Sequence, residues 1–137
     1  METIIVDTNI VFSALHTPDS LTRQKLLSLP NQFVSCNFLF IEIFKHKERI
    51  FKNSRASDDE IYDYLEKVVQ RIHFFNEELI STESYFEAYH LCKDVAIKDI
   101  AFVALTIELD ALLWTRDTVL KDGLRAKRFD RFFDENK

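Results

Sequence analysis

A single glycine, Gly123, serves the whole 137-residue chain. Loops that wrap phosphates bring backbone amides right up to the ligand, and they need glycine at several fixed positions to do so. A chain with one glycine has no Walker loop, no dinucleotide-binding fingerprint and no glycine-rich kinase loop. Any phosphate chemistry here must be carried by side chains.

The order of apolar runs sets the fold class. Thr3, Ile4, Ile5 and Val6 form a short, continuous, β-branched run, as expected of a strand buried on both faces. After Asp7, Thr8 and Asn9, apolar residues recur at helical spacing through Ile10, Val11, Ala14 and Leu15. Thr17, Pro18, Asp19 and Ser20 read as a turn, with Ser20 capping a helix to about residue 29. Residues 33–36 read as a second strand, followed by one helix over residues 38–51 with Asn37 as its cap. Acids at Asp58, Asp59 and Glu60 crowd a helix start after Ser57, where they complement the helix dipole. That helix should run to about residue 70. Residues 72–75 are a third strand, Ser81 or Thr82 caps a helix ending near 93, and 99–109 form another, with Ile100, Val103, Ala104 and Ile107 on one face. Residues 111–114 are a strand, 118–127 a short helix and 131–133 a final edge strand.

Strands alternating with helices over short connections predict one α/β domain spanning residues 1–137, a three-layer sandwich around a mostly parallel sheet of four or five strands. In such sheets ligands bind at the carboxyl ends of the strands. The composition fits: 47% of residues are hydrophobic, enough for a core, and no apolar run approaches the ~20 residues of a spanning helix. Glu2 and Asp7 interrupt any signal-peptide pattern, so no membrane association and a cytoplasmic location are expected. Cys36 and Cys92 sit among apolar neighbours and read as reduced core thiols, and His16, His46, His73 and His90 lack the spacing of a zinc helix. Acids outnumber bases 23 to 18, which argues against a general DNA coater but not against an enzyme that inverts local charge with bound cations.

Four carboxylates stand where they need a reason. Asp7 follows the first strand directly, and Asp117 follows the strand ending near Trp114 and Thr115, so both should project at one edge of the sheet. Each could equally be a helix cap. Glu42 is the only charged residue between Lys25 and Lys45 and is set in a run of Phe, Leu and Ile, so it should be at least partly buried and neutralised by a base or a metal ion, unless it lies on the one polar stripe of its helix. Asp99 opens an apolar helix, with a first-turn role as the plain explanation and Asp94 as a competing acid. A receiver domain would need an acidic pair at the first strand, and a dehalogenase-type phosphatase a second Asp where Asn9 stands.

The run Val6-Asp7-Thr8-Asn9-Ile10-Val11 resembles the opening motif of PIN domains, Asp99 through Leu109 resembles their third acidic motif and its helix, and Thr115-Arg116-Asp117 the fourth, with Glu42 at the second acidic position. The resemblance spans nearly the whole chain, and its motifs stand in the family's order. It implies that Asp7, Glu42, Asp99 and Asp117 are the catalytic and metal-binding acids, favouring Asp99 over Asp94, with Thr8, Asn9 and Thr115 supporting them by hydrogen bonds. All-oxygen ligands suit Mg²⁺ or Mn²⁺, and such ions promote in-line displacement at phosphorus. The implied activity is metal-dependent endoribonuclease cleavage of transfer, ribosomal or messenger RNA, as the toxin of a bacterial toxin–antitoxin pair, with a small antitoxin as partner and a homodimer as the usual assembly. Arg116 is the cation expected to hold a substrate phosphate; Lys45, His46, Lys47, Arg49, Lys121, Arg125, Lys127, Arg128 and Arg131 are otherwise ordinary surface. Thr106 stands where the family often has Ala, and the end of the chain is short and charged. The alternative is a silent PIN domain that binds RNA or protein without cutting.

Overall fold

The computed structural model describes residues 1–16, 20–53 and 57–136, apart from the side chains of His16, Lys47, Ile50 and Asn53. Its elements run β1 (Ile4–Val6), α1 (Thr8–His16), α2 (Leu21–Ser28), β2 (Phe33–Cys36), α3 (Asn37–Lys45), α4 (Lys47–Asn53), α5 (Asp58–Arg71), β3 (Ile72–Phe75), α6 (Thr82–Cys92), α7 (Ile100–Glu108), β4 (Leu112–Trp114) and α8 (Thr118–Ala126), with 3₁₀ turns at Glu77–Leu79 and Ile97–Asp99. The expected turn at Thr17, Pro18 and Asp19 lies outside the described residues. Among those residues, no helix is long and apolar enough to cross a membrane.

The strands pair in the order β3-β2-β1-β4, all in parallel. Side chains alternate across the sheet. Ile4, Val6, Phe33 and Trp114 face a core built with Val11 and Leu15 of α1, Leu26 of α2, Leu39 of α3 and Tyr64 of α5. Ile5, Val34 and Leu113 face a second core with Ala88 of α6, Leu105 of α7 and Leu124 of α8. Each such aliphatic side chain contributes about 1.5–3 kcal/mol when fully buried. Two apolar layers on one sheet explain why β1 and β4 read as continuous apolar runs.

Ser20 caps α2 as expected, Ser81 and not Thr82 caps α6, and Ser57 caps the helix start read at Asp58, each side chain accepting a first-turn N–H. Four expectations are corrected. The helix over 38–51 is two helices, breaking at His46 with φ −107° and ψ 9°. Asn37 lies inside α3 instead of capping it; Glu77 reaches across to take the Phe38 N–H at 2.7 Å, a contact between residues 39 positions apart. In α7, burial is not confined to one stripe, because Phe102 to Thr106 are all buried in succession. The final edge strand reduces to a single parallel bridge of Phe132 with Leu113. Both cysteines are free and buried.

With glycine scarce, the left-handed positions after helices fall to other residues. Asp110, at φ 50°, and Arg128, at φ 68°, turn the chain out of α7 and α8, at about 1 kcal/mol or more each relative to glycine. The one glycine is used for closeness instead: a Cβ on Gly123 would stand 2.6 Å from a Val95 methyl, so α8 packs against the turn after α6 only because that atom is missing.

Candidate active site

The strand order fixes where to look. The chain steps outward from β1 through β2 to β3, then returns past β1 to place β4 on its other side. The order therefore reverses between β1 and β4, and ligand crevices in open parallel sheets form outside the carboxyl ends of the strands at such a point. Asp7 leaves β1 there and Asp117 follows β4 there, with the backbone N–H of Asp7 reaching the Trp114 carbonyl at 3.4 Å. Ser35, buried in β2, donates to the Val6 carbonyl at 2.6 Å and ties down the end of β1.

Asp7 is buried, at 6% exposure, and accepts the Ile10 N–H of α1 at 3.0 Å. Burial pushes its carboxyl up to about 6; hydrogen bonds from Thr115 and Ile10 oppose this, while the charges of Asp99 and Asp117 add to it. Asp117 caps α8, accepting the Leu120 N–H at 3.1 Å. Thr115 links the two acids: it donates to Asp7 and accepts the Asp117 N–H at 3.2 Å. The plain capping roles of Asp7 and Asp117 are thus both real, and each occupies only part of a carboxylate's acceptor capacity.

Asp99 differs. It stands at the cap position of α7 yet makes no side-chain cap bond. Its Oδ2 is buried with no hydrogen-bond partner. Burial is the main cause that raises its carboxyl above the ordinary range, Lys98 pulls it down and Asp117 pushes it further up. Asp7, Asp99 and Asp117 therefore repel one another across the β1–β4 crevice. Asp94 is elsewhere, paired with Lys127 at the surface.

Glu42 is partly buried in α3, and its Oε2 lies 3.1 Å from His46 Nε2, one turn along the helix. The three aspartates thus bear on one another electrostatically, while Glu42 has a histidine partner of its own. Among the described residues, no three His, Cys, Asp or Glu side chains meet as a preformed metal cage. Thr8 is partly buried and Asn9 exposed; of the three supporting residues, Thr115 is the one hydrogen-bonded to the acids.

Several surface cations are paired with carboxylates. Arg125 pairs with Asp130 at 2.7 Å, Arg131 with Asp110 at 2.7 Å and Lys127 with Asp94. The Arg116 guanidinium grips Glu135, Nε to Oε1 at 3.0 Å and Nη2 to Oε2 at 3.0 Å, and holds that carboxyl below its ordinary range. Sequence reading passed over Glu77 and Glu135, since both act on residues far away in the chain.

The PIN-domain family model matches residues 5–135. No curated protein matches the sequence. Among solved structures, the chain is similar to one described as VapBC2 from Rickettsia felis bound to a DNA fragment from their promoter, at 17% identity, covering 96% of each chain with a TM-score of 0.60. At that identity the likeness speaks to the fold.

Proposed function

Because this chain belongs to the PIN-domain family, we propose that it is a divalent-metal-dependent endoribonuclease, the toxin of a toxin–antitoxin pair. The observation that carries the reading is the Asp99 carboxylate, whose buried Oδ2 has no hydrogen-bond partner and whose charge is felt by Asp7 and opposed by Asp117. Native proteins seldom leave a buried polar atom unsatisfied without a use for it. Hard oxygen donors that repel one another fit Mg²⁺ or Mn²⁺, and Mg²⁺ binds through one or two carboxylates plus substrate oxygens and water, so a full protein cage is not needed. When bound, such an ion acidifies a water and offsets charge on the phosphoryl oxygens. Asp7 would hold it at the floor of the crevice, with Asp99 and Asp117 on either side and Thr115 fixing the spacing of Asp7 and Asp117. Glu42 would join after releasing His46.

An antitoxin would have a seat on the α3 side of the molecule, next to the helix that carries Glu42. A hollow of about 700 Å³ between α3, α4 and α5 is lined by Phe40, Phe44, Phe51, Tyr62 and Val69, the kind of groove that takes the apolar face of a partner helix. Exposed Phe86 and Tyr89 on α6 offer a surface for dimerisation. The binding-only reading draws on one observation, the absence of a three-donor cage among the described residues.

Incubating whole-cell RNA with the protein in Mg²⁺, Mn²⁺ or EDTA separates the two. Cutting that needs the ion and vanishes in a folded Asp7→Asn variant is expected. Intact RNA with either ion would leave the binding module as the reading.

A further inference from the structure

Arg116 lies between two residues of the acid crevice, Thr115 and Asp117, and its guanidinium is embedded in a bed of polar groups. Nη1 donates to Ser13 Oγ at 2.9 Å, Nη2 donates to Thr22 Oγ1, and Nε and Nη2 form a fork on the Glu135 carboxylate. A third donor completes the carboxylate's site: Trp114 Nε1 reaches Glu135 Oε2 at 3.2 Å. Thr22 is 3% exposed, so the bed is built into the fold and is not a chance meeting of surface chains. Ser13 and Thr22 accept from the guanidinium, which leaves each hydroxyl its own proton to donate.

A planar fork with additional donors is a receptor for an oxyanion, and carboxylate and phosphate are its two usual guests. Arg125 and Arg131 each hold a single surface carboxylate, whereas Glu135 is received by an arginine and a tryptophan together. The pair is partly open to solvent, Arg116 at 42% and Glu135 at 27%, and a bridge at such exposure is weak enough to exchange.

We propose that Arg116, with Ser13, Thr22 and Trp114, forms a phosphate subsite beside the acid crevice, and that Glu135 occupies it as an internal stand-in which an RNA phosphate must displace. The proposal rests on the nuclease reading for its ligand, but the subsite has its own readout. Trp114 is the only tryptophan in the chain and loses its Glu135 hydrogen bond when the carboxylate leaves, so its fluorescence follows the exchange.

The test titrates inorganic phosphate and, separately, a short single-stranded RNA into the full chain carrying Asp7→Asn, with Mg²⁺ present, so that the RNA stays whole. Both should move the Trp114 signal. Adding Glu135→Gln, which keeps an acceptor for Trp114 and removes the charge, should tighten RNA binding about fivefold, measured by anisotropy of labelled RNA, because the closed state no longer competes. Thr22→Val, nearly the same shape, should weaken phosphate binding, and Arg116→Gln should abolish the Trp114 response. Unchanged RNA affinity in folded Glu135→Gln, or a lowered melting point as that variant's only effect, would overturn the proposal and make the contact a structural strap. Binding of phosphate without RNA would overturn the RNA assignment. Cutting by wild type with no response at Trp114 would reject the subsite and spare the nuclease, and the reverse result would do the opposite.

Discussion

At the start of α5, Ser57 accepts the Glu60 N–H at 3.3 Å and the acids Asp58, Asp59 and Glu60 stand exposed in the first turn. At the start of α7, Asp99 takes the cap position, makes no cap bond and keeps a buried oxygen with no partner. In sequence the two starts look alike, with acids where a helix dipole favours them. In the structure the first set is hydrated and aids folding, while Asp99 is held by its surroundings in a state that folding alone does not reward. Local rules fail where a site needs something else, and an unpartnered carboxylate is such a failure.

The largest effect should separate the two starts in activity. Asp99→Asn is expected to lower RNA cutting by roughly a hundredfold or more with no loss of thermal stability, whereas Asp58→Asn should leave cutting unchanged. Equal rates for the two variants in a timed cleavage assay would break the comparison.

Next comes stability against pH. Asp7 titrates at about 6 in the fold against an ordinary 3.8, because burial and then the neighbouring aspartates favour its protonated form. Its contribution to stability is therefore full below about pH 3.8 and is lost as pH rises through about 6. Asp7→Asn keeps an oxygen for the Ile10 N–H and removes that loss, so the variant should gain on wild type between pH 5 and pH 8. Only the part of the interval from 3.8 to about 6 that lies above pH 5 is sampled, about one unit, so the gain should be roughly 1.4 kcal/mol. Urea denaturation at the two pH values measures it, and a variant that keeps the wild-type slope shows that Asp7 is not the group responsible.

The smallest effect belongs to α5. Ser57→Ala should cost about 1 kcal/mol through loss of its cap bond, read from urea midpoints, and leave RNA cutting as it was. A fall in cutting would mean that α5 reaches the site.

What was legible in the sequence was local. The β-branched run before Asp7, the serines before three helices and the order of strand and helix each depend on residues within a turn of one another, and they located Asp7 and Asp117 at one sheet edge. What was not legible depended on distance along the chain. Asn37 is not the cap because α3 already begins at it, and the first-turn N–H of Phe38 is met instead by Glu77, arriving from beyond β3. The break at His46 was hidden because it falls in the run Lys45-His46-Lys47-Glu48-Arg49, which has no proline or glycine to mark it. Arg116 could be singled out, but not the Glu135 carboxylate it holds 19 positions later. Glu42 matched the family's pattern, while its bond to His46 needed coordinates to be seen.

Gly123 has a consequence beyond packing. It lies six residues along from Asp117 on the rod of α8, against Val95, in the turn that leads to Asp99. Any side chain there would act as a wedge between the supports of two acids at once, tilting one rod and pushing back the turn that carries the other. The residue with the least chemistry in the chain thus sets the gauge of its most charged crevice, and a single methyl there would detune the site with no polar atom altered.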